Sequence, residues 1–277
     1  MSIQTRAGFK KEMLAFTRTN RLLILALIIL GWAALGPLLI RGLGVVMDTL
    51  TPLYDEMGVD ITGMTDMLVA STSNGVISAI ADLTTTGLIA ALIIINSAAG
   101  GEQKKRSMII PKATGLKNQS YLFPKYIIYP VTALILATIA AFVAWGTSIL
   151  AFEINDVSAQ SVLVAGVLAG ITLMFYITLH LTIGTSTGQA GMSSIICIIA
   201  SLILPNLFAA LGSELIYNPF TLNLIAVSQI QNTQAFQGSE IIGTALIVFA
   251  LMIILYLIAL FAQNAKKIDN SGNEIRL

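Results

Sequence analysis

Asp82 is the one acid inside the long apolar runs of this chain, and three threonines, Thr84, Thr85 and Thr86, follow it. Further on, Thr172, Tyr176 and His180 recur four residues apart and share one stripe of a helix. Ionisable groups held in hydrocarbon face protein or water and mark proton or ion paths. Asp82, Thr85, Thr172, Tyr176 and His180 are therefore the pathway candidates. Each has a plainer role beside that one. Asp82 falls near the outer end of its run, within reach of an interface. His180 falls near the inner end of its own run, where it can bond a Tyr or Thr across a helix interface. Near opposite faces, the two cannot pair readily. Cys197 is the only cysteine, so it forms no intrachain disulfide, and its neighbours offer no metal site. Walker A, HExxH and GxSxG patterns are absent. The chain reads as a conduit moved by something else, with no catalytic residue and no cofactor or metal of its own.

Stepping from those residues to what must hold them, 56% of the chain is apolar and 10% is charged. Soluble domains carry about 25% charged residues. Six runs are long enough for a hydrocarbon core that takes about 20 apolar residues per helix: 22–40, 79–99, 127–151, 161–183, 193–211 and 241–262. Lipid obliges the backbone to satisfy itself, so the runs are helices, and the alternation of a membrane barrel is missing. Fourteen of the fifteen Lys and Arg residues fall in three stretches: before the first run, between the second and third, and after the sixth. The remaining connections hold only Arg41, and nine acids: Asp48, Asp55, Glu56, Asp60, Asp66, Glu153, Asp156, Glu214 and Glu240. The positive-inside rule puts the basic stretches and both termini in the cytoplasm. A near-zero net charge gives no sign of nucleic-acid binding. The first run is too long for a signal peptide and reads as a retained helix.

The expected architecture is an all-α polytopic membrane protein, one transmembrane domain over 1–277. Residues 1–21 form an interfacial helix, with Phe9, Met13 and Phe16 at helical spacing and Lys10, Lys11 and Arg18 largely opposite. The connection 41–78 is the longest outer loop, an acidic cap with part of it in a short surface helix. Residues 100–126 make a cytoplasmic helix-turn-helix: 102–106 prolong the second run, Pro111 interrupts it, Asn118 or Ser120 caps the next helix and Pro124 lies in its first turn. Tyr121, Leu122 and Phe123 are too apolar for a solvated loop. They suit docking against another protein or against the chain's own interfacial helix. Gly166 and Gly170 have the spacing of close helix packing, and Gly184, Gly188 and Gly191 permit a tight turn. Between the fifth and sixth runs, the apolar 222–227 fits a short outer-leaflet re-entrant segment.

This arrangement resembles the membrane subunit of ABC-2 type transporters over nearly the whole chain. The most specific part runs from Gly101-Glu102 to Lys125-Tyr126, where Glu102 and Lys125 match a Glu at the end of the second span and a Lys at the start of the third. The family's Pro-x-Ser-Arg turn is replaced by Pro111-Lys112 and Gly115-Leu116-Lys117. The resemblance implies a permease subunit in a prokaryotic cytoplasmic membrane. It would work as a homodimer with two copies of a separate ATPase that binds ATP and Mg. Residues 107–122 would form the coupling helix, with Glu102, Arg106, Lys117, Tyr121, Phe123 and Lys125 serving coupling and ATPase docking. The cargo would be an amphiphilic peptide, drug or lipid leaving between two copies along spans one, two and five. The competing readings are an ion- or proton-coupled secondary carrier using Asp82 and His180, and a membrane-bound peptide-immunity protein.

Overall fold

A computed structural model of the chain describes residues 3–57, 71–102, 115–210, 218–231, 238–268 and 274–276. Among these the chain is almost entirely helical, and six helices are long and apolar enough to cross a membrane. A short amphipathic helix comes first, α1 (Ile3–Arg18). The six long ones are α2 (Arg21–Glu56), α3 (Thr72–Gly101), α4 (Asn118–Phe152), α5 (Ala159–Thr187), α6 (Ala190–Ala210) and α8 (Gly238–Asn264). Before α8 lie a 3₁₀ turn, Pro219–Thr221, and the short α7 (Leu222–Ile230). After α8 the backbone of Lys266–Ile268 pairs antiparallel with Glu274–Arg276.

The helices run alternately between two ends. At one end Ser71 caps α3 by accepting from the Asn74 amide at 3.1 Å. There the Thr72 hydroxyl donates to the Ile154 carbonyl, and the Ser73 amide donates to Asp156 Oδ1 at 3.1 Å. At the other end Asn118 Nδ2 donates to the Gln263 carbonyl at 3.1 Å and to Asn264 Oδ1 at 2.9 Å, tying α4 to the close of α8. The described parts of all three cation-rich stretches gather at this second end, called here the basic end.

α5 is the hub. It packs most extensively on α4, and glycines bring the backbones together. A Cβ at Gly166 would lie 2.9 Å from Ala141 Cβ, and one at Gly170 would lie 3.0 Å from Leu134 Cα. At the basic end Gly184 meets α3 just as closely: a Cβ there would sit 2.7 Å from the Ala99 carbonyl oxygen, and one at Gly100 would sit 2.7 Å from that of Gly184. Gly188, at φ +73°, ends α5 in the left-handed region that glycine tolerates. α2, α6 and α8 bury much less of themselves than α5.

Four expectations change. The first long helix continues to Glu56, so 41–56 is helix rather than loop. Hydropathy marks what lipid accepts, not where helicity stops, and Thr49 and Thr51 bond back to the carbonyls of Val45 and Met47. α3 likewise begins at Thr72, seven residues before its apolar stretch. On the basic side, α4 is continuous from Asn118 with Lys117 at its N-cap position, so Pro124 lies beyond the first turn, and neither Asn118 nor Ser120 caps α4. Last, α1 does not give its whole apolar stripe to lipid: Phe16 is buried beside Tyr129, ring centroids 5.1 Å apart, while Met13 stays exposed. The central residues of the expected helix-turn-helix, 103–114, lie outside the described residues, as do 58–70 of the outer connection.

The glycine contacts make a prediction. Gly184→Val should cost about 1–3 kcal/mol, because the atoms in its way are the backbone and Cβ of Ala99, none of which can swing aside. Gly146→Ala, which meets nothing within 4 Å, should be neutral or stabilise by up to about 1 kcal/mol. Unfolding midpoints in detergent check both.

Candidate functional site

Lys125 organises the basic end. It lies seven residues after Asn118 on α4, and its side chain has no solvent exposure. An ammonium carries three donors and no acceptor. Here one goes to Glu102 Oε2 at 2.7 Å and one to the Ala98 carbonyl at 3.0 Å, while Glu12 Oε1 lies 3.5 Å away. Beneath it lies the Tyr121 ring, centroid 4.5 Å from Nζ. The Tyr121 hydroxyl donates to Glu102 Oε2 at 2.9 Å, and the Tyr129 hydroxyl donates to Glu12 Oε2 at 2.8 Å. Lys11, half exposed, closes the cluster with Nζ 2.7 Å from Glu102 Oε1 and 3.4 Å from Glu12 Oε1. Two acids and two lysines thus balance across α1, the end of α3 and the start of α4. Arg21 adds a further tie, donating to the Ser97 hydroxyl.

Local sequence explains the placement. Tyr121, Lys125 and Tyr129 are four apart, so one face of α4 presents all three. Glu12 lies three residues after Phe9 and four before Phe16, on the apolar face of α1, which delivers it to that face; a Cβ at Gly8 would come 2.6 Å from the Ser120 carbonyl oxygen. Residues Ser97–Gly101 wind as a π turn. Such a turn upsets the usual carbonyl pairing, and Ala98 gives its carbonyl to Lys125. Burial would raise the Glu102 carboxyl, but the ammonium groups of Lys125 and Lys11 outweigh it and hold the group down at about 2.

Of the residues expected to serve coupling and docking, Glu102, Tyr121 and Lys125 meet in this cluster. Tyr121 and Lys125 are buried within the chain and offer no docking surface, a correction to that role; the chain's own α1 covers this region, with Phe9 and Phe123 ring centroids 5.9 Å apart. Lys117 and Phe123 are exposed, and Arg106 lies outside the described residues. Lys11, Glu12 and Tyr129 were not among the expected site residues.

No family, characterised protein or solved structure matches the chain. The site therefore stands on its own geometry.

Among the described residues no hydrogen bond links the pathway candidates to one another. Thr172 bonds back to the Leu168 carbonyl at 3.0 Å. The buried Tyr176 hydroxyl has no hydrogen-bond partner among the described residues, and its ring lies 6.3 Å from that of Phe220. His180 is buried and its partner is neither Tyr nor Thr but Ser193 of α6. The Ser193 hydroxyl donates to the His180 carbonyl at 2.7 Å, so its oxygen accepts from Nδ1 at 2.8 Å. That pairing ties the α5–α6 hairpin. Asp82 is not at the end of its helix. Ten residues separate it from Thr72, about 15 Å of helix, and Trp32 of α2 lies beside it. Thr85 bonds back to the Ala81 carbonyl at 2.9 Å. Among the described residues no three His, Cys, Asp or Glu side chains gather as a metal site.

Two predictions follow from the cluster. Lys125→Met removes the buried cation from Glu12 and Glu102, leaving them only the half-exposed Lys11, and should cost about 3 kcal/mol; Lys11→Ala, at a half-exposed position, should cost less than about 1 kcal/mol. Both are read from unfolding midpoints. With its folded value depressed below the ordinary 4.5, Glu102 contributes fully above about pH 4.5, and that contribution is lost as pH falls toward 2. The melting temperature should drop across that window in the wild type, and Glu102→Gln should flatten the drop.

Proposed function

We propose that this chain is the membrane-spanning permease subunit of an ATP-driven ABC exporter, acting as a homodimer with two copies of a separate ATPase that binds ATP and Mg. The observation that supports this most is the buried Lys125–Glu102 pair. It joins the two helices flanking the connection 103–114 and clamps α1 against both. A push on that connection would reach α1, α3 and α4 together rather than bend one loop. A chain without a nucleotide-binding motif needs such a handle if its work comes from outside. The cluster transmits force, and the ATPase sits on the connection and on neighbouring exposed residues such as Lys117 and Phe123. Glu102 and Lys125 also occupy the positions matched in the ABC-2 resemblance.

On this reading the basic end faces the cytoplasm of a prokaryote, and α7 with its 3₁₀ turn is the re-entrant segment of the outer leaflet. The less buried helices α2, α6 and α8 supply the face for the second copy. The chain has no catalytic site, and its cargo is an amphiphile.

Co-expression with candidate ATPases tests this. The expected outcome is a copurifying ATPase whose hydrolysis is stimulated by the chain, and a Glu102→Lys variant that still binds it but loses stimulation about tenfold or more. Failure of any ATPase to copurify, or full stimulation in Glu102→Lys, would overturn it.

A further inference from the structure

α1 has two faces, and the Lys125 cluster uses only the inner one. Inward, Phe9 and Phe16 meet rings of α4, the Thr5 and Ser120 hydroxyls lie 3.2 Å apart, and Glu12 reaches Lys125 and Tyr129. Outward, an arc of about 140° at about 100° per residue carries Arg6, Lys10 and Arg18, all exposed. Ile3, Met13 and Leu14 lie among them and are exposed too, Ile3 to 90%. Arg6 and Lys10 are four apart, a spacing at which like charges repel on a helix. Glu12 is the one acid of α1, and it is buried on the other face. None of the three cations forms an ion pair among the described residues. α1 then turns at Asn20, φ +56°, into α2, where Leu23, Ile24 and Leu27 are exposed. The outward face therefore stands where the exposed apolar band of the molecule begins.

We propose that the outward face of α1 binds anionic phospholipid, and that this binding steadies the Lys125 cluster on the inward face. Arg6, Lys10 and Arg18 hold the negative head groups, while Ile3, Met13 and Leu14 enter among the acyl chains. Charge alone would suit any anion, and apolar contact alone would suit any lipid. Both interleaved on one face fit an occupant that is negative at its surface and apolar beneath. Each Lys or Arg near an anionic surface strengthens binding about fivefold, so three favour it over a neutral bilayer by about a hundredfold. The link to the cluster is the helix itself. Lipid that holds Lys10, Met13 and Leu14 holds Glu12 between them against Lys125, and a ligand that binds only the seated helix stabilises that state. An acidic protein surface answers the cations but not the almost wholly exposed Ile3.

The full chain, without ATPase, is placed in nanodiscs of phosphatidylcholine alone or mixed with phosphatidylglycerol. Leu14→Cys is labelled with a water-soluble maleimide; the native Cys197 is buried. Labelling should be about fivefold slower in the mixed discs. About 1 M salt, where the screening length falls to about 3 Å, should remove most of that difference. Arg6→Gln, Lys10→Gln and Arg18→Gln combined in the same chain should label equally in both discs. Salt acts on the unaltered cations, so the inference does not hang on the folding of one variant. Amide exchange of residues 3–18 and 118–125 should slow about threefold or more with the anionic lipid, while that of 180–193 should not change. Equal labelling of the cationic chain in both lipids, or protection that survives the triple substitution, overturns the lipid site. Protection by free glycerol phosphate, or only by an added ATPase, overturns it in favour of a soluble anion or a protein. Slower exchange in α1 without any in α4 overturns the link to the cluster. The ATPase copurification stands or falls by itself.

Discussion

A lysine ammonium out of reach of solvent has to be matched on every side, and the basic end of this protein is built around that demand. Leaving such a charge unpaired costs several kcal/mol. Lys125 meets it with groups from three separate elements: Glu12 of α1, Glu102 and the Ala98 carbonyl of α3, and the Tyr121 ring of its own helix. None of these alone would suffice, because one carboxylate leaves donors unmet and a ring accepts only weakly. The requirement therefore converts three pieces of chain into one body. Lys11 differs in kind. Half in solvent, it trims the negative charge of the two acids without fixing any element.

α3 carries the two carboxyls of interest, Asp82 and Glu102, and each adjoins a π turn. Leu83–Gly87 follows the first and Ser97–Gly101 precedes the second. A wider turn inserts extra backbone and resets which residues share a face. The disturbed carbonyls find side-chain donors. Near the first turn Thr84 and Thr85 donate to the Ala81 carbonyl, at 3.1 and 2.9 Å; in the second, Lys125 takes that of Ala98. Thr84 and Thr85 thus serve the backbone, while Thr86 is exposed.

Much of the fold was legible because lipid is an exacting solvent: six apolar runs of the right length gave six long helices, and Gly166 and Gly170 met α4 as small residues at an interface should. The ends of helices were not legible from hydropathy. Residues 41–56 and 72–78 are polar enough to read as loop, yet they are helical, with threonine back-bonds in α2 and a Ser71 cap on α3. In the site, Glu102 and Lys125 were found by resemblance. Tyr129 could have been found by spacing, four residues past Lys125, and Glu12 by its position between Phe9 and Phe16 on an otherwise apolar face. A carboxylate on the wrong face of an amphipathic helix is a request for a buried cation. For Tyr121 the sequence left two partners open, another protein or the chain's own first helix, and the buried ring stacks under Lys125 where α1 covers the region.

The way α3 is held limits how it can move. At one end the Ser71 cap and the Thr72 and Ser73 bonds to the α4–α5 connection fix it. At the other, Gly100 against Gly184 leaves no room for even a methyl group, and the Lys125 cluster holds Glu102. Asp82 and Glu102 are twenty residues apart, about 30 Å of helix. A helix clamped at both ends cannot carry a displacement by sliding as a rod. It can do so only where its internal bonding has an alternative, and coupling in general requires an element with two arrangements. In α3 those places are the π turns. One lies directly beside Asp82 and could rewind with the clamps shut; the other lies directly beside Glu102, whose carboxyl is part of a clamp, so rewinding it would open the Lys125 cluster.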